Sequence, residues 1–292
     1  MPKRISYSDA SNLNRIWGRR FASVQNGTSA ERNSFAEQGY VKLTENFPVG
    51  MQSLLETGFG SARFIHRWAK ENPSLQVDGI DKSPVVVDAA SERLAGEPSG
   101  HPANLTLICA DVFNIPYEDD TFCVVMSEGL VEHYRRDEQV AMVSEMSRVT
   151  SPGGRVIAAI PNFYCPSLIF AMAYNGVDWR NVAKYQNRWR YGYEQPMRPR
   201  EACEIFKEAG LTNVTIDSGW GIWYGLKVYR WDFNSQQPLY PRFRGVMLAA
   251  QRVLEQITRL VDPLTNNLLT TLFGYEFIVR GDKPIIPSPG PR

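Results

Sequence analysis

One stretch, residues 51–81, constrains the fold more than any other part of the chain. A short apolar run leads into Glu56–Ala62, which reads ETGFGSA, a helix-like segment follows, and a second apolar run ends at Asp81. This order predicts a strand, a glycine turn, a helix that begins near Ser61, a second strand and an acidic residue at its end. Such a unit belongs to an α/β sheet that binds its ligand at the carboxyl ends of the strands.

The glycine turn and the acidic residue together indicate a nucleoside ligand. Gly58 and Gly60 allow a tight turn and a close approach of bare backbone to a ligand. Asp81 follows by roughly the twenty residues that place a carboxylate near the ribose hydroxyls. The glycine pair alone is equally compatible with an ordinary turn between a strand and a helix, and the spacing to Asp81 favours the nucleoside.

Glu56, just before the glycines, indicates which kind of nucleoside ligand to expect. A carboxylate there would repel a pyrophosphate bound at the helix N-terminus. It suits a ligand that carries an ammonium and a sulfonium, as S-adenosylmethionine does. Here the sequence resembles class I S-adenosylmethionine-dependent methyltransferases, whose first motif runs acid, any, Gly, any, Gly, any, Gly. Ala62 replaces the third glycine and is small enough to let the helix approach the strand.

This resemblance implies an α/β fold with a Rossmann-like, seven-stranded, mostly parallel sheet, helices on both faces and an antiparallel last strand. It also implies S-adenosyl-L-methionine as the cofactor. A third strand is predicted at Leu105–Cys109, and by resemblance Asp111 after it accepts from the adenine amine while Val112 or Phe113 covers the ring. Lys82 and Ser127 complete the cofactor set. The family usually has Asp where Cys123 stands, so no role is assigned there.

The run Ser127–Tyr134, SEGLVEHY, follows the predicted fourth strand at residues 123–127. It resembles the loop of many small-molecule methyltransferases that contains a Glu-x-Leu-Glu-His sequence. Imidazole takes up protons near neutral pH, so His133 is the candidate general base, with Glu132 beside it. The alternative is that both residues only brace the loop.

The remaining elements complete a sheet with right-handed crossovers. An amphipathic helix is predicted at residues 137–149, stopped by the SPGG sequence at 151–154. A fifth strand is predicted at 155–160, a helix at 199–209, a sixth strand at 211–216 and a last strand at 273–280. The ends of the first four strands then bring Glu56, Asp81, Asp111 and Ser127 to one edge.

Outside the sheet, the chain is predicted to have a helical N-terminal cap at residues 1–46 and a catalytic domain at 47–283. Two lid insertions are expected at 162–197 and 219–272, and a disordered proline-rich tail at 284–292. Tyr40 in the cap is a candidate contact for the cofactor carboxylate or the substrate. The alternative is a packed N-terminal extension.

Aromatic residues interleaved with arginines fill the first insertion, and further aromatics follow the sixth strand. We interpret these segments as a closed pocket for a small organic molecule, although stacked RNA bases or a plain aromatic lid core would also use such residues. The predicted substrate-binding residues are Tyr164, Trp179, Tyr185, Arg188 and Trp223. Residues 244–261 have helical apolar spacing, which suits contact with a membrane, a partner subunit or the lid.

The composition argues against several classes of protein. The 32 basic and 31 acidic side chains give a formal charge of +1, which supplies no general attraction to nucleic acid. The four cysteines show no CxxC pairing and are expected to be buried reduced thiols, and the three histidines are scattered, so no metal site is expected. No apolar run is long enough for a membrane span, and no signal core follows the N-terminus, so the protein is expected to be cytoplasmic. A homodimer is compatible with the sequence.

The sequence therefore predicts a cytoplasmic methyltransferase that moves a methyl group from S-adenosylmethionine in line to a small metabolite. Two alternatives stay open. One is an enzyme that attacks the aminobutyryl carbon of the cofactor and releases methylthioadenosine. The other is a catalytically silent binding or partner protein.

Overall fold

The computed structural model describes residues 30–97, 100–174, 195–223, 231–232, 237–238, 244–265 and 268–285. Predictions that concern residues 1–29, the middle of the first insertion at 175–194 and the tail beyond 285 fall outside this part of the chain.

Helices and strands alternate through the first half of the described chain. The helices are α1 Ala30–Glu45, α2 Arg63–Glu71, α3 Pro84–Ala95, α4 Arg136–Val149, α5 Pro166–Tyr174, α6 Pro199–Glu208, α7 Arg244–Val261 and α8 Leu268–Phe273. The strands are β1 Ser53–Thr57, β2 Gln76–Asp81, β3 Leu105–Cys109, β4 Phe122–Glu128, β5 Thr150–Pro161, β6 Thr212–Trp220, β7 Trp231–Asp232, β8 Gln237–Pro238 and β9 Glu276–Asp282. Short 3-10 turns occupy Val131–His133 and Asp262–Thr265.

Seven strands form one sheet in the order β3-β2-β1-β4-β5-β9-β6. The first five pair in parallel, and β9 is antiparallel to both β5 and β6. The predicted Rossmann-like fold with an antiparallel last strand is confirmed, and the structure places that strand between the fifth and the sixth. The order reverses between β1 and β4, which is where a parallel sheet of this kind opens a crevice for its ligand.

Two apolar layers cover the sheet. One face packs against α4 and α6 through residues such as Leu55, Val143 and Phe206, and the other packs against α1, α2 and α3 through residues such as Leu43 and Ile65. Because helices cover both faces, all five residues of β1 are buried, including the polar Ser53, Glu56 and Thr57.

Several element bounds differ from the prediction. Strand β5 begins at Thr150 and not at 155, because Thr150 pairs with Phe122 ahead of a register shift that absorbs the SPGG sequence. Strand β9 covers 276–282 and not 273–280, because α8 takes residues 268–273. Helix α2 begins at Arg63, since Ala62 adopts a left-handed backbone conformation.

The first insertion leaves the sheet and returns to it at one place. Asn162 forms an isolated parallel bridge with Met197, and the amide of Met197 donates to the carbonyl of Pro161 at 2.9 Å. The amide of Phe163 donates to Met197 at 3.0 Å. Both ends of the insertion are therefore fixed at the carboxyl end of β5.

Candidate active site

The carboxyl edge of the sheet gathers the predicted cofactor residues from neighbouring strands. Glu56 in β1 is in register with Gly79 of β2 and Met126 of β4, and Asp81 is in register with Cys109 of β3. The turn after β1 is anchored to β2, because the amide of Gly58 donates to the carbonyl of Ile80 at 2.7 Å. Strand pairing alone thus brings these side chains to one crevice.

The glycine turn depends on backbone conformations that other residues rarely adopt. Gly58 and Gly60 have φ angles of 70° and 52°. A Cβ on Gly58 would also lie 3.0 Å from the side chain of Leu130, which packs over the turn. Ala62 has a φ of 51°, so the glycine usual at this position is favoured by its backbone freedom as well as by its size. We estimate that Ala62 costs about 1 kcal/mol in this conformation.

Glu56 is buried, with 3% of its surface exposed. Its carboxylate accepts from the amide of Ile65 in the first turn of α2, so it caps this helix from the strand. Oxygen Oε2 has no hydrogen-bond partner among the described residues. Desolvation raises the pKa of the Glu56 carboxyl well above its ordinary value, and Glu128 and Asp81 raise it further. A cationic ligand would satisfy the unpartnered oxygen and stabilise the carboxylate.

Asp81 connects the two sides of the crevice. Its Oδ2 accepts from the amide of Gly60 at 3.2 Å, and its Oδ1 accepts from the amide of Ser83 at 2.9 Å. Desolvation raises the pKa of the Asp81 carboxyl, while these two amides oppose the rise. Each oxygen retains a second lone pair, so Asp81 can still accept from two ribose hydroxyls.

At the next strand end, Lys82 and Asp111 form an ion pair, with 2.6 Å between Nζ and Oδ2. The other oxygen of Asp111 accepts from the amide of Phe113 at 3.2 Å. Val112 is 6% exposed, and Phe113 meets Tyr134 edge to face with 5.2 Å between ring centroids. Asp111 therefore lies beside an apolar and aromatic surface of the kind that covers a purine ring.

The loop after β4 holds the predicted catalytic pair. Glu132 and His133 are 2% and 5% exposed and lie in the short 3-10 turn, with 3.8 Å between Oε1 and Nε2. The carbonyl of Glu132 accepts from the amide of Gln195, where the described chain resumes after the insertion. Ser127 is fully buried, and its Oγ has no partner among the described residues. The base of the insertion is thus bonded to the loop that carries the candidate base.

The structure places Tyr40 at the opposite end of α2 from the crevice. Its hydroxyl donates to Glu71, the last residue of α2, whereas the crevice lies at the first turn of that helix. Its ring packs against Phe64 and under the guanidinium of Arg67 at 3.8 Å. Tyr40 thus fixes α1 against α2, in agreement with the alternative of a packed extension.

Only two of the five predicted substrate residues lie in the described part of the chain. Tyr164 follows β5 directly, is 45% exposed and packs edge to face on Phe163 at 5.4 Å. The indole of Trp223 donates to Thr258 of α7 at 2.9 Å, so it connects the second insertion to the end of β6. Trp179, Tyr185 and Arg188 lie outside the described residues.

Two residues at the crevice received no role from the sequence. Glu128, the last residue of β4, is close enough to influence the ionisation of Glu56. Leu130 packs onto Gly58 and closes the turn from above. Their position directly after a buried strand was the available signal, because residues at that point of a parallel sheet face the ligand.

The cysteines are free, but the expectation that they are buried is correct only for Cys165. Cys109 is exposed, and Cys123 and Cys203 are intermediate. Among the described residues, no group of three His, Cys, Asp or Glu side chains is placed to hold a metal ion. Nor does any described helix have the length and apolar character needed to cross a membrane.

The crevice and its acidic strand ends define a nucleoside-binding α/β enzyme. Residues 54–154 match the family model of the methyltransferase domain. A demethylmenaquinone methyltransferase from Halalkalibacterium halodurans is 28% identical over 177 residues, which are 56% of this chain and 69% of that protein. Further curated relatives with methyltransferase names match over 38–61% of their own length.

Solved structures share the fold. A phosphoethanolamine N-methyltransferase from Haemonchus contortus, in complex with phosphomonomethylethanolamine and S-adenosylhomocysteine, superposes with a TM-score of 0.59 at 18% identity. The superposition covers 98% of this chain and 62% of that one. A complex of the Haloferax volcanii Trm112 methyltransferase activator with a protein assigned as a methyltransferase gives a TM-score of 0.58 at 17% identity, over 95% and 99% of the two chains.

The methyltransferase-domain match over residues 54–154, the methyltransferase relatives and the shared fold together support a class I S-adenosylmethionine-dependent methyltransferase with S-adenosylmethionine as its cofactor. Its own residues fit this ligand. The unpartnered Oε2 of Glu56 offers an acceptor to a cation, Asp81 has spare lone pairs, and Asp111 borders an apolar surface.

Proposed function

We propose that the protein transfers a methyl group to a small organic molecule held between the carboxyl edge of the sheet and the first insertion. The observation that carries this proposal is that both ends of the insertion are fixed at residues 161–163 and 195–197, next to the crevice. In this proposal, the two anchored ends beside the crevice limit the access of water to the reacting atoms. The substrates named for the two relatives, a demethylated quinone and a phosphorylated amino alcohol, are both small molecules.

The chain's own residues have separate tasks in this proposal. When bound, S-adenosylmethionine supplies an electrophilic methyl group on its sulfonium. Glu56 holds the positively charged end of the cofactor, Asp81 the ribose, and Asp111 with Val112 the adenine. Lys82 orients the carboxylate of Asp111, and the buried Ser127 donates to the ligand from the end of β4. Alignment of the acceptor with the methyl group, together with exclusion of water, accounts for most of the rate.

His133 is the candidate general base for a substrate that must lose a proton. It lies in the loop directly after β4, and Glu132 is close enough to stabilise its protonated form. We expect His133→Ala to slow turnover of such a substrate by about 10²–10⁴-fold and to leave cofactor binding unchanged. The matched control is His101→Ala, because His101 is an exposed histidine away from the crevice. Loss of the acidic limb of the pH–rate profile in the variant distinguishes a base from a residue that only braces the loop.

The by-product of the reaction tests the proposal. The protein is incubated with S-adenosylmethionine and a panel of demethylated quinones, amino alcohols and carboxylic acids, and the products are identified by mass spectrometry. Formation of S-adenosylhomocysteine with a methylated panel member is expected. Methylthioadenosine would instead establish attack at the aminobutyryl carbon. Cofactor binding without any turnover across the panel would favour a silent binding protein.

A further inference from the structure

Helix α7 presents apolar side chains to solvent, whereas an ordinary surface helix turns its apolar side toward the core. Its polar side faces the protein, where Gln251 is 6% exposed and Thr258 accepts from the indole of Trp223. Its apolar side faces outward, where Val253, Ile257 and Leu260 are 58%, 51% and 74% exposed. These three positions are spaced by four and three residues and form one stripe. The stripe that normally packs on a core is therefore turned away from it.

The apolar stripe continues beyond α7. Val246, near the start of the helix, is 67% exposed, and Leu264 in the following turn is 84% exposed. Leu268 and Leu272 in α8 are 51% and 46% exposed. We call the surface formed by these side chains the apolar ridge: Val246, Val253, Ile257, Leu260, Leu264, Leu268 and Leu272. From Val246 to Leu260 along α7 it runs for about 21 Å, and a continuous exposed apolar surface of this size marks an interaction site.

The charges beside the apolar ridge are of one sign. Arg252 and Arg259, seven residues apart on one flank of α7, are both exposed. The two acids of this segment are less exposed: the half-buried Glu255 accepts from Gln251, and the buried Asp262 accepts from amides in the first turn of α8. An apolar stripe with a cationic flank is the pattern of a helix that lies in the interface of an anionic bilayer.

The apolar ridge reaches the active-site edge. The side chain of Asn162, directly after β5, donates to the carbonyl of Leu272 at 3.0 Å. The amide of Tyr275 donates to the carbonyl of Trp220, at the carboxyl end of β6, at 2.7 Å. The end of the ridge is thus bonded to the strand ends beside which the substrate is proposed to bind.

We propose that the apolar ridge docks on the surface of an anionic lipid bilayer, without crossing it. The bilayer offers hydrocarbon to the apolar side chains and acidic headgroups to Arg252 and Arg259. A second copy of the chain suits the ridge less well, because the exposed charges described on α7 and α8 are cationic and would find no exposed acid on a facing ridge. Docking in this way would bring the active-site edge close to an amphiphilic substrate dissolved in the membrane. The docking itself does not depend on which molecule is methylated.

Vesicle sedimentation tests the proposal. The full chain is mixed with phosphatidylcholine vesicles that contain about 30% phosphatidylglycerol, and with vesicles of phosphatidylcholine alone. We expect stronger binding to the anionic vesicles, weakened by salt. The triple variant Val253→Gln, Ile257→Gln, Leu260→Gln should reduce the partition coefficient by at least about tenfold. Glutamine keeps a high helix propensity, so circular dichroism and cofactor affinity should not change.

A control variant and three outcomes decide the question. Val49→Gln with Ile285→Gln removes two apolar side chains that are 105% and 74% exposed outside the ridge, and its binding should match that of the natural protein. Absence of vesicle binding, or equal binding by the triple variant, would overturn the proposal. So would light scattering that shows a dimer for the natural protein and a monomer for the triple variant, because a second copy would then cover the ridge. These measurements need no turnover, so they remain interpretable if the proposed methyl transfer is wrong.

Discussion

The carboxylate of Asp81 accepts a hydrogen bond from the amide of Gly60 at 3.2 Å and so joins the end of β2 to the turn after β1. One side chain therefore both shapes the glycine turn and faces the proposed ribose. We therefore expect substitution of Asp81 to lower the affinity for the cofactor and to disturb the glycine turn.

We expect Asp81→Ala to weaken S-adenosylmethionine binding by about 1.5–3 kcal/mol, or roughly 10- to 150-fold in Kd, because a charge-assisted hydrogen bond to the ribose is lost. Titration calorimetry measures this change. Asp88→Ala is the matched control, since Asp88 is an exposed acid of α3, and its Kd should not change. Unaltered affinity in Asp81→Ala would contradict the ribose role.

Cofactor affinity should depend on pH through Glu56. Its carboxyl has a raised pKa in the folded protein, so lowering the pH leaves it increasingly protonated and unable to pair with the cationic end of the cofactor. We expect Kd to decrease as the pH rises, measured over a range in which the ligand's own α-ammonium stays protonated. Glu56→Gln should bind more weakly at the upper limit and show a much flatter dependence. A flat profile in the natural protein would refute this assignment.

The same substitution should have the opposite effect on stability. A carboxyl whose pKa is raised by folding stabilises the fold fully below its unfolded pKa, and this contribution is lost as the pH rises through the folded value. Glu56→Gln has no such loss and can still accept from Ile65. In the absence of cofactor, the variant should therefore gain stability relative to the natural protein as the pH rises, which thermal unfolding at several pH values would show. A relative loss of stability would contradict the buried, unpartnered state of the carboxyl.

Asp111 and Lys82 should contribute unequally to cofactor binding. Asp111→Ala removes the acceptor proposed for the adenine amine and should weaken binding by about 1–3 kcal/mol. Lys82→Met removes a partly exposed partner whose ion pair contributes no more than about 1 kcal/mol, and it leaves the acceptor in place. Calorimetry on both variants gives the order of the two effects. A larger loss for Lys82→Met would instead assign Lys82 a direct contact with the cofactor.

Helix α2 lies so close to the sheet that residue 79 must lack a side chain. A Cβ on Gly79 would be 2.5 Å from Ile65 and 2.9 Å from Phe59. We expect Gly79→Ala to lower the free energy of unfolding by about 1–3 kcal/mol in urea titrations. Gly96→Ala serves as the comparison, because Gly96 has a right-handed conformation and its nearest contact would be 3.6 Å away. That variant should be unchanged or up to about 1 kcal/mol more stable.

The sheet was predictable because its signals are local. Alternating apolar runs, the glycine turn and the SPGG stop each specify a strand or helix boundary, and the parallel crossover rules then fix the sheet. The positions of Glu56, Asp81 and Ser127 at the carboxyl edge were predictable for the same reason, since each lies at or near the end of such a strand. The contact that Tyr40 makes with Glu71, thirty-one residues away, could not be predicted, because the packing of α1 along α2 has no local sequence signal.

The orientation of α7 also could not be predicted from the sequence. Apolar spacing identifies a helix and its stripe but not the direction in which the stripe faces, because that direction depends on contacts such as the one between Trp223 and Thr258. The short strand pair β7 and β8 likewise gave no apolar run to recognise.

The junction between Asn162 and Met197 has a consequence for how such enzymes diversify. An insertion that leaves and re-enters the sheet at hydrogen-bonded neighbours can be replaced as a unit. The positions of its two ends stay fixed whatever the length of the chain between them. Transplanting the corresponding segment from another methyltransferase between these positions would then alter which acceptor is recognised while the adenosyl half of the crevice keeps its shape. Under the proposed function, substrate choice and cofactor recognition therefore depend on separate segments of one chain.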